Sequence, residues 1–458
     1  MTEIAFCFII IIATSLRPAT IPYLLLLYVF ATGFGGQALI GNLKVAVGSV
    51  NVFALDLLYA TACIFFIIFF IKKISNAKFK RSNSSVTNNM ATLILLYILF
   101  FTGKLINGFF NHVAPDSLVR MFMQDTHVFY FFIPLIIYKD TQQIGRLLRF
   151  TVILALIFPL GQPFLANSDD TKWLMHAQGT FRLGFGDTNV LLATGAIALL
   201  CWEKKRYLAF LPLAGIMMLA HRSGYIAIFL SFIALSYFKG QKLQTIGLMS
   251  IAGALVIGLL ATLQSFTSVN ILDQNLSRAG ETFKATGTTL ARASVMTIAL
   301  EEFQERPLTG LSYLEIQSAK QQSEFSPRDF NIVHPHNFVL SAIMNTGLIG
   351  TLLLFSLLTI TLSTSYKLAR DQTYKIEGTF LFSTILFFVI YALMNTTMGS
   401  AGYVLWFLCG ITFRIYNIYD TSIGSINTVS FNRLNNRSTS FSIKPNRLLE
   451  IAKANQQV

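Results

Sequence analysis

Charge is the first thing this sequence is short of. Only 12% of its 458 residues are charged, about half the share of an ordinary soluble domain. There are 21 acidic residues against 42 phenylalanines, 54% of the chain is hydrophobic, and the mean hydropathy is +0.59. So little polar surface cannot cover a water-exposed globule, which excludes a soluble enzyme, and the apolar content excludes a disordered chain. Cysteine is also scarce. Cys7, Cys63, Cys201 and Cys409 lie far apart, each inside an apolar run, with no Cys-x-x-Cys pair. That excludes a secreted disulfide scaffold and leaves four small hydrophobes. What is in excess is positive charge: 35 basic residues against 21 acidic, net +14. Such a balance suits nucleic acid or merely orientation in a bilayer, and the position of the charges decides between them.

A membrane-crossing helix needs about 20 mostly apolar residues. Twelve runs approach that description, near 20–36, 50–71, 90–108, 120–138, 150–166, 188–202, 207–221, 224–238, 245–263, 338–366, 378–395 and 402–419. The expected fold is an all-α polytopic membrane protein of about twelve spans. Segment 4–15 is either a thirteenth, short span or one arm of a hairpin, because Arg17 and Pro18 part it from the next run. Its lack of preceding basic residues, with Glu3 acidic, argues against a cleaved signal peptide.

Basic residues concentrate in alternate connections: Lys72, Lys73, Lys78, Lys80 and Arg81, then Lys139, Arg146 and Arg149, then Lys204, Lys205 and Arg206. Lys239, Lys242, Lys367, Arg370, Lys375 and the tail after 420 continue the pattern. With the spans above, all fall on one side, which the positive-inside rule makes cytoplasmic. Nucleic acid then has nothing to explain. The largest connection on the opposite side is 264–336, with six basic and eight acidic residues. It contains a helical pattern from Thr289 to Arg306, which Pro307 stops, with Thr309-Gly310 as turn material. The chain thus divides into an amino-terminal bundle of about nine spans (1–263), a large outer loop (264–336), three carboxy-terminal helices (337–419) and a basic tail (420–458) that can touch anionic lipid.

All six histidines, His112, His127, His176, His221, His334 and His336, fall on the outer side or at its boundary. His334 and His336 flank Pro335, but no third ligand is near, so a metal site is not expected. At the mouth of a span, a neutral imidazole can instead accept a proton near neutral pH. The same pair also fits ordinary interfacial residues. Asp56, Lys104, Arg120, Asp125 and His127 lie in or beside apolar runs, where charge is costly, and Arg120 and Asp125 can pair. Asp169-Asp170 could hold a divalent ion, but the first outer loop, about 37–49, offers Lys44 and no acid.

His336-Asn337 is followed by nine residues, Gly347, two more, and Gly350. This string, closing a long outer loop and opening a late span, resembles the signature of the O-antigen ligase and polymerase family. Gly347 and Gly350 would present a small helix face for close helix approach. Leu290-Ala291-Arg292-Ala293 leading to Arg306-Pro307-Leu308-Thr309-Gly310 resembles that family's Arg-led helix and Asn-Pro-Leu-x-Gly-x-Gly turn, with Arg306 in place of Asn and Ser312 in place of the last Gly. His221-Arg222-Ser223-Gly224 and Arg182-Leu183-Gly184 with Asn189 resemble further elements, so the likeness runs in order over roughly 180–420.

The resemblance implies a GT-C-like bundle in the bacterial inner membrane that transfers a glycan at the periplasmic face. The donor would be linked to polyprenyl (undecaprenyl) pyrophosphate, and the acceptor would be lipid A-core or a growing glycan. It implies an inverting transfer with no cofactor and no metal. His336 would be the catalytic base, with Arg222, Arg292, Asn337, His334 and Arg182 binding substrate. Arginine's planar fork suits pyrophosphate oxygens, though Arg222 also fits a snorkelling interfacial residue. Ligase and polymerase are not separated by these motifs. Two other classes remain: a lipid-linked sugar flippase or other secondary transporter, against which the long loop argues, and a membrane O-acyltransferase, expected to bury its histidine.

Overall fold

A computed structural model describes residues 17–36, 44–47, 50–75, 84–165, 188–201, 203–218, 222–240, 247, 287–323, 332, 337–393 and 402–420. Fourteen helices are described: α1 (Ile21–Gly36), α2 (Ala54–Ser75), α3 (Ser85–Phe110), α4 (Pro115–Asp125), α5 (Phe132–Ile137), α6 (Thr141–Leu165), α7 (Thr188–Cys201), α8 (Phe210–Met218), α9 (Arg222–Lys239), α10 (Gly287–Glu305), α11 (Tyr313–Gln322), α12 (Phe338–Arg370), α13 (Lys375–Leu393) and α14 (402–420). Five contain stretches long and apolar enough to cross a bilayer: Asp56–Ser75, Ser85–Phe110, Thr141–Gly161, Phe338–Arg370 and Lys375–Leu393. The chain is a multi-pass membrane protein. The expected runs 4–15 and 245–263, and the tail, lie outside the described residues.

Two expectations need correcting. The fold is helical but carries a hairpin, β1 (Lys44–Val47) and β2 (Val50–Phe53), antiparallel with Lys44 opposite Phe53 and Val47 opposite Val50. Lys-Val-Ala-Val and Val-Asn-Val-Phe are β-rich strings either side of Gly48-Ser49. The sequence pattern predicts a loop to 49 and a span from 50, whereas the helix starts only at Ala54. Asp56 then lies in the first turn of α2 and Lys72 and Lys73 in its last, each where the helix dipole favours its sign.

The run 120–138 is not one helix. Amphipathic α4 ends at Asp125, Thr126 leaves helical geometry at φ −109°, and a 3-10 turn, His127–Phe131, leads into α5. Polar residues up to Asp125 keep the apolar stretch from starting before His127. His127 itself packs in the core, its ring 4.2 Å from that of Tyr403.

Helix α7 is the centre of the bundle: every one of its residues is buried, and it packs against α1, α6, α8, α9 and α13. Cys201 at its end and Cys409 are buried free thiols, as small hydrophobes should be. The ends of α7, α9 and α12 meet at the basic pole. Lys239 Nζ donates to the Leu200 carbonyl at 2.6 Å, and Arg370 reaches the Tyr237 hydroxyl at 3.4 Å. Nearer α5, Arg414 donates to the carbonyls of Tyr138 and Lys139 at 2.5 and 3.3 Å. At the opposite pole Gly224, at the start of α9, lies against Asn189, at the start of α7. Helices α7 and α9 therefore run the same way, and their starts lie away from the basic ends.

Candidate functional site

The site is built on a helix that is broken and then repaired from outside. Inside α12, Gly347 takes φ 58° and ψ −159°, a conformation that only glycine adopts readily. The break separates backbone donors from their usual acceptors one turn earlier. Those donors turn to the segment after α10: Leu348 N–H donates to the Pro307 carbonyl at 2.8 Å and Ile349 N–H to that of Leu308 at 3.2 Å. Two carbonyls on the near side are satisfied in their turn. Leu311 N–H donates to Met344 at 2.8 Å, and Lys104 Nζ, from α3, donates to Asn345. Buried backbone groups must be paired, and this turn with one lysine does that work.

The turn itself follows from its residues. Pro307 cannot continue α10. Gly310 takes φ 64° and donates to the Arg306 carbonyl at 3.1 Å, a left-handed helix stop. A Cβ on Gly310 would lie 2.4 Å from the Met344 carbonyl oxygen, so the docking requires glycine there. Ser312, where the family pattern has Gly, caps α11: its hydroxyl accepts from Glu315 N–H while the Glu315 carboxylate accepts from Ser312 N–H at 2.8 Å. Arg306 spans the turn, 3.5 Å from Glu302 and paired with Glu315. Both departures from the family string thus have local partners.

The two glycines of the signature are not one small face, and the expectation is corrected accordingly. Gly347 is the break, with the Leu308 backbone against it. Gly350 is the close approach, its Cβ position 3.1 Å from the ring of Phe100 on α3. Beneath the turn lies a small apolar core of Ala299, Leu311, Ala319, Ile332 and Met344, joining α10, the turn, α11 and α12.

Ile332 is 8% exposed, and five residues later Asn337 caps α12, its side-chain oxygen accepting from Val339 and Leu340 N–H at 2.9 and 3.1 Å. His334 and His336 fall between these two anchors and lie outside the described residues, as does Arg182. Arg222 opens α9 and Arg292 sits in the first half of α10, with side chains outside the described residues. Arg222 lies at the end of α9 that meets Asn189, at the start of α7. Gly224 lies so close to Asn189 that a Cβ would be 2.9 Å from its side-chain oxygen, which joins two of the family-like strings.

Helix α11 escaped the sequence pattern because its composition is polar; the Ser312-x-x-Glu315 capping box was the available signal. Through it the loop reaches α3 and α4. Tyr313 is fully buried, and its hydroxyl donates to Asp125 at 2.9 Å. Lys104 Nζ lies 5.3 Å from the Tyr313 ring centroid. Asp125, expected to pair with Arg120, takes the tyrosine, while Arg120 is exposed. Burial pushes the Asp125 carboxyl up to about 6, opposed by Lys104, the Tyr313 hydrogen bond and Lys320. Burial also pushes Lys320 down, against the pull of Asp125.

A family model described as O-antigen ligase matches residues 207–355. The matched stretch covers α8, α9, α10, α11 and the broken half of α12. No curated protein matches the chain.

Proposed function

From the match of residues 207–355 to a family model described as O-antigen ligase, we propose that the chain belongs to that family and transfers a glycan from a polyprenyl-pyrophosphate carrier to an acceptor hydroxyl at the periplasmic face of the bacterial inner membrane. The acceptor is lipid A-core if the protein is a ligase, or a growing O-antigen or exopolysaccharide chain if it is a polymerase. His336 removes the proton from the acceptor hydroxyl as its oxygen attacks the anomeric carbon from the face opposite the leaving group. The bond from that carbon to the phosphate oxygen breaks, and its electron pair leaves with the lipid pyrophosphate. Arg222 and Arg292 hold the charge that develops there. No metal, nucleotide sugar or ATP enters this scheme.

The observation that supports this reading is that described residues on either side of the His334-Pro335-His336 string, Ile332 and Asn337, have fixed packing partners. Ile332 is seated in the small core under the turn, and Asn337 is fixed as the cap of α12. A general base gains from fixed residues on either side of it, because catalysis depends on its geometry holding through the displacement. A transporter has no need of such a fixture on a long outer loop.

The test is complementation of a gene deletion with His336→Ala, Arg222→Lys and Arg292→Lys, followed by gel analysis of surface polysaccharide. His336→Ala should give normal protein abundance and no transfer; full-length surface glycan from that variant would sink the assignment. Unchanged transfer in both lysine variants would remove the arginines from the pyrophosphate site. In the deletion itself, carrier-linked polymer accumulating without core attachment marks a ligase, and single-repeat products mark a polymerase. No change in any glycan would favour transport.

A further inference from the structure

Lys104 and Asp125 lie outside the stretch matched by the family model and contribute nothing to the reaction as drawn above. Nevertheless a lysine inside a membrane-length helix must have a reason to be there. Its Nζ donates to the carbonyl of Asn345. In an unbroken helix that carbonyl would accept from Ile349 N–H, but that donor has gone to Leu308. The orphaned oxygen is met by an ammonium group delivered from a different helix. Lys104 is held in turn by aromatic faces, with Nζ 5.7 Å from the Phe101 centroid and 5.3 Å from that of Tyr313. Tyr313 is tied to Asp125, and the α11 backbone follows its own capping box. Gly108 admits this arrangement: a Cβ there would lie 2.6 Å from Leu118 and 3.4 Å from Tyr313.

We infer that Lys104, steadied by Tyr313 and Asp125, is a positioning residue for the transfer: it holds the break in α12 open against the 307–311 turn and so fixes the helix mouth that carries His336. The inference rests on the proposed role of His336. The chain of contacts is short and physical. Lys104 fixes Asn345, the break frees Leu348 and Ile349 for the turn, and the turn's Leu311 joins Ile332, two residues before His334 in sequence, in the small core. Without the ammonium group, the Asn345 carbonyl is best satisfied by recovering Ile349 N–H. That would close the break and release the turn.

The experiment uses the full chain in lipid nanodiscs, with Lys104→Met and Lys104→Arg as variants. Undecaprenyl-pyrophosphate-linked glycan extracted from the deletion strain serves as the donor probe. Lys104→Met should exchange the 308–311 amides with deuterium at least ~10-fold faster. Its kcat should fall by roughly tenfold or more with the donor KM within about twofold, the signature of a misplaced reacting group. Lys104→Arg, which keeps a cationic donor, should restore both. Wild-type exchange and kcat in a folded Lys104→Met overturn the inference. If Lys104→Met does not accumulate, Lys104→Arg decides: a folded arginine variant that loses protection of the turn overturns it, and one that keeps protection and turnover supports it. His336→Ala runs alongside. Retained transfer there removes the role of His336, while deuterium exchange still reports whether Lys104 holds the turn.

Discussion

Gly347 faces the carbonyl of Leu308 so closely that a Cβ on it would lie 2.6 Å from the oxygen and 2.5 Å from the carbon. Both contacts are backbone, so nothing flexible can move aside. Gly347→Ala also meets a glycine-only combination of φ and ψ, costing about 1–3 kcal/mol before the clash. The variant should melt several degrees lower in detergent and lose glycan transfer. A melting curve matching wild type would show that the break is not held as described.

Asn337 offers a cleaner separation of structure from chemistry. As a helix cap it needs only a side-chain acceptor, so Asn337→Asp and Asn337→Ser should keep stability and transfer, whereas Asn337→Ala should lose about 1 kcal/mol. A folded Asn337→Asp with no activity would mean that the amide nitrogen contacts substrate. Thermal melts paired with transfer assays on the three variants distinguish the cases.

Much of this architecture was legible before any coordinates, and the failures have physical causes. Long apolar runs announce helices because a bilayer demands them, and Pro307 marked the end of α10. Two residues of the alternate basic connections, Lys239 and Arg370, meet partners at helix ends. The His-Asn…Gly-x-x-Gly spacing located the helix mouth. That Gly347 would break its helix was not legible, because the break exists only with the 307–311 turn, forty residues upstream, to repair it. A pairing of Asp125 with Arg120 is visible in sequence because the two are near neighbours, whereas the arrival of Tyr313 from 188 residues away is not. The hairpin was missed because eight strand residues run directly into an apolar helix.

The Asp125 carboxyl makes a pH-dependent contribution whose sign can be worked out. Its folded pKa stands at about 6 against an ordinary 3.8, so between those values the folded state holds the proton more tightly than the unfolded chain. Stability from this group is therefore greatest below about pH 4 and is lost as pH rises to about 6. Asp125→Asn keeps an acceptor for Tyr313 and cannot ionise, so its melting temperature should vary less than that of wild type across this window. Parallel curves for the two proteins from pH 4 to 7 would place the titration elsewhere.

Close packing of α12 on α13 gives the sharpest contrast between two glycines. After α12, Asp371 turns the chain, its carboxylate accepting from Thr373 N–H at 2.8 Å, and α13 returns directly along α12. At Gly378 a Cβ would lie 2.2 Å from the Ala369 nitrogen and 2.3 Å from the Leu368 carbon, both backbone. Relief requires the helices to part where Phe380 and Leu381 are buried, so Gly378→Ala should cost about 1–3 kcal/mol or more. Gly145, in the second turn of α6, has nothing within 4 Å of its Cβ position. There alanine removes only the conformational freedom of glycine, and Gly145→Ala should stabilise by roughly 0.5–1 kcal/mol. Melting temperatures of the two variants should therefore move in opposite directions from wild type. If Gly378→Ala melts with wild type or above it, the α12–α13 contact is no tighter than an ordinary helix face.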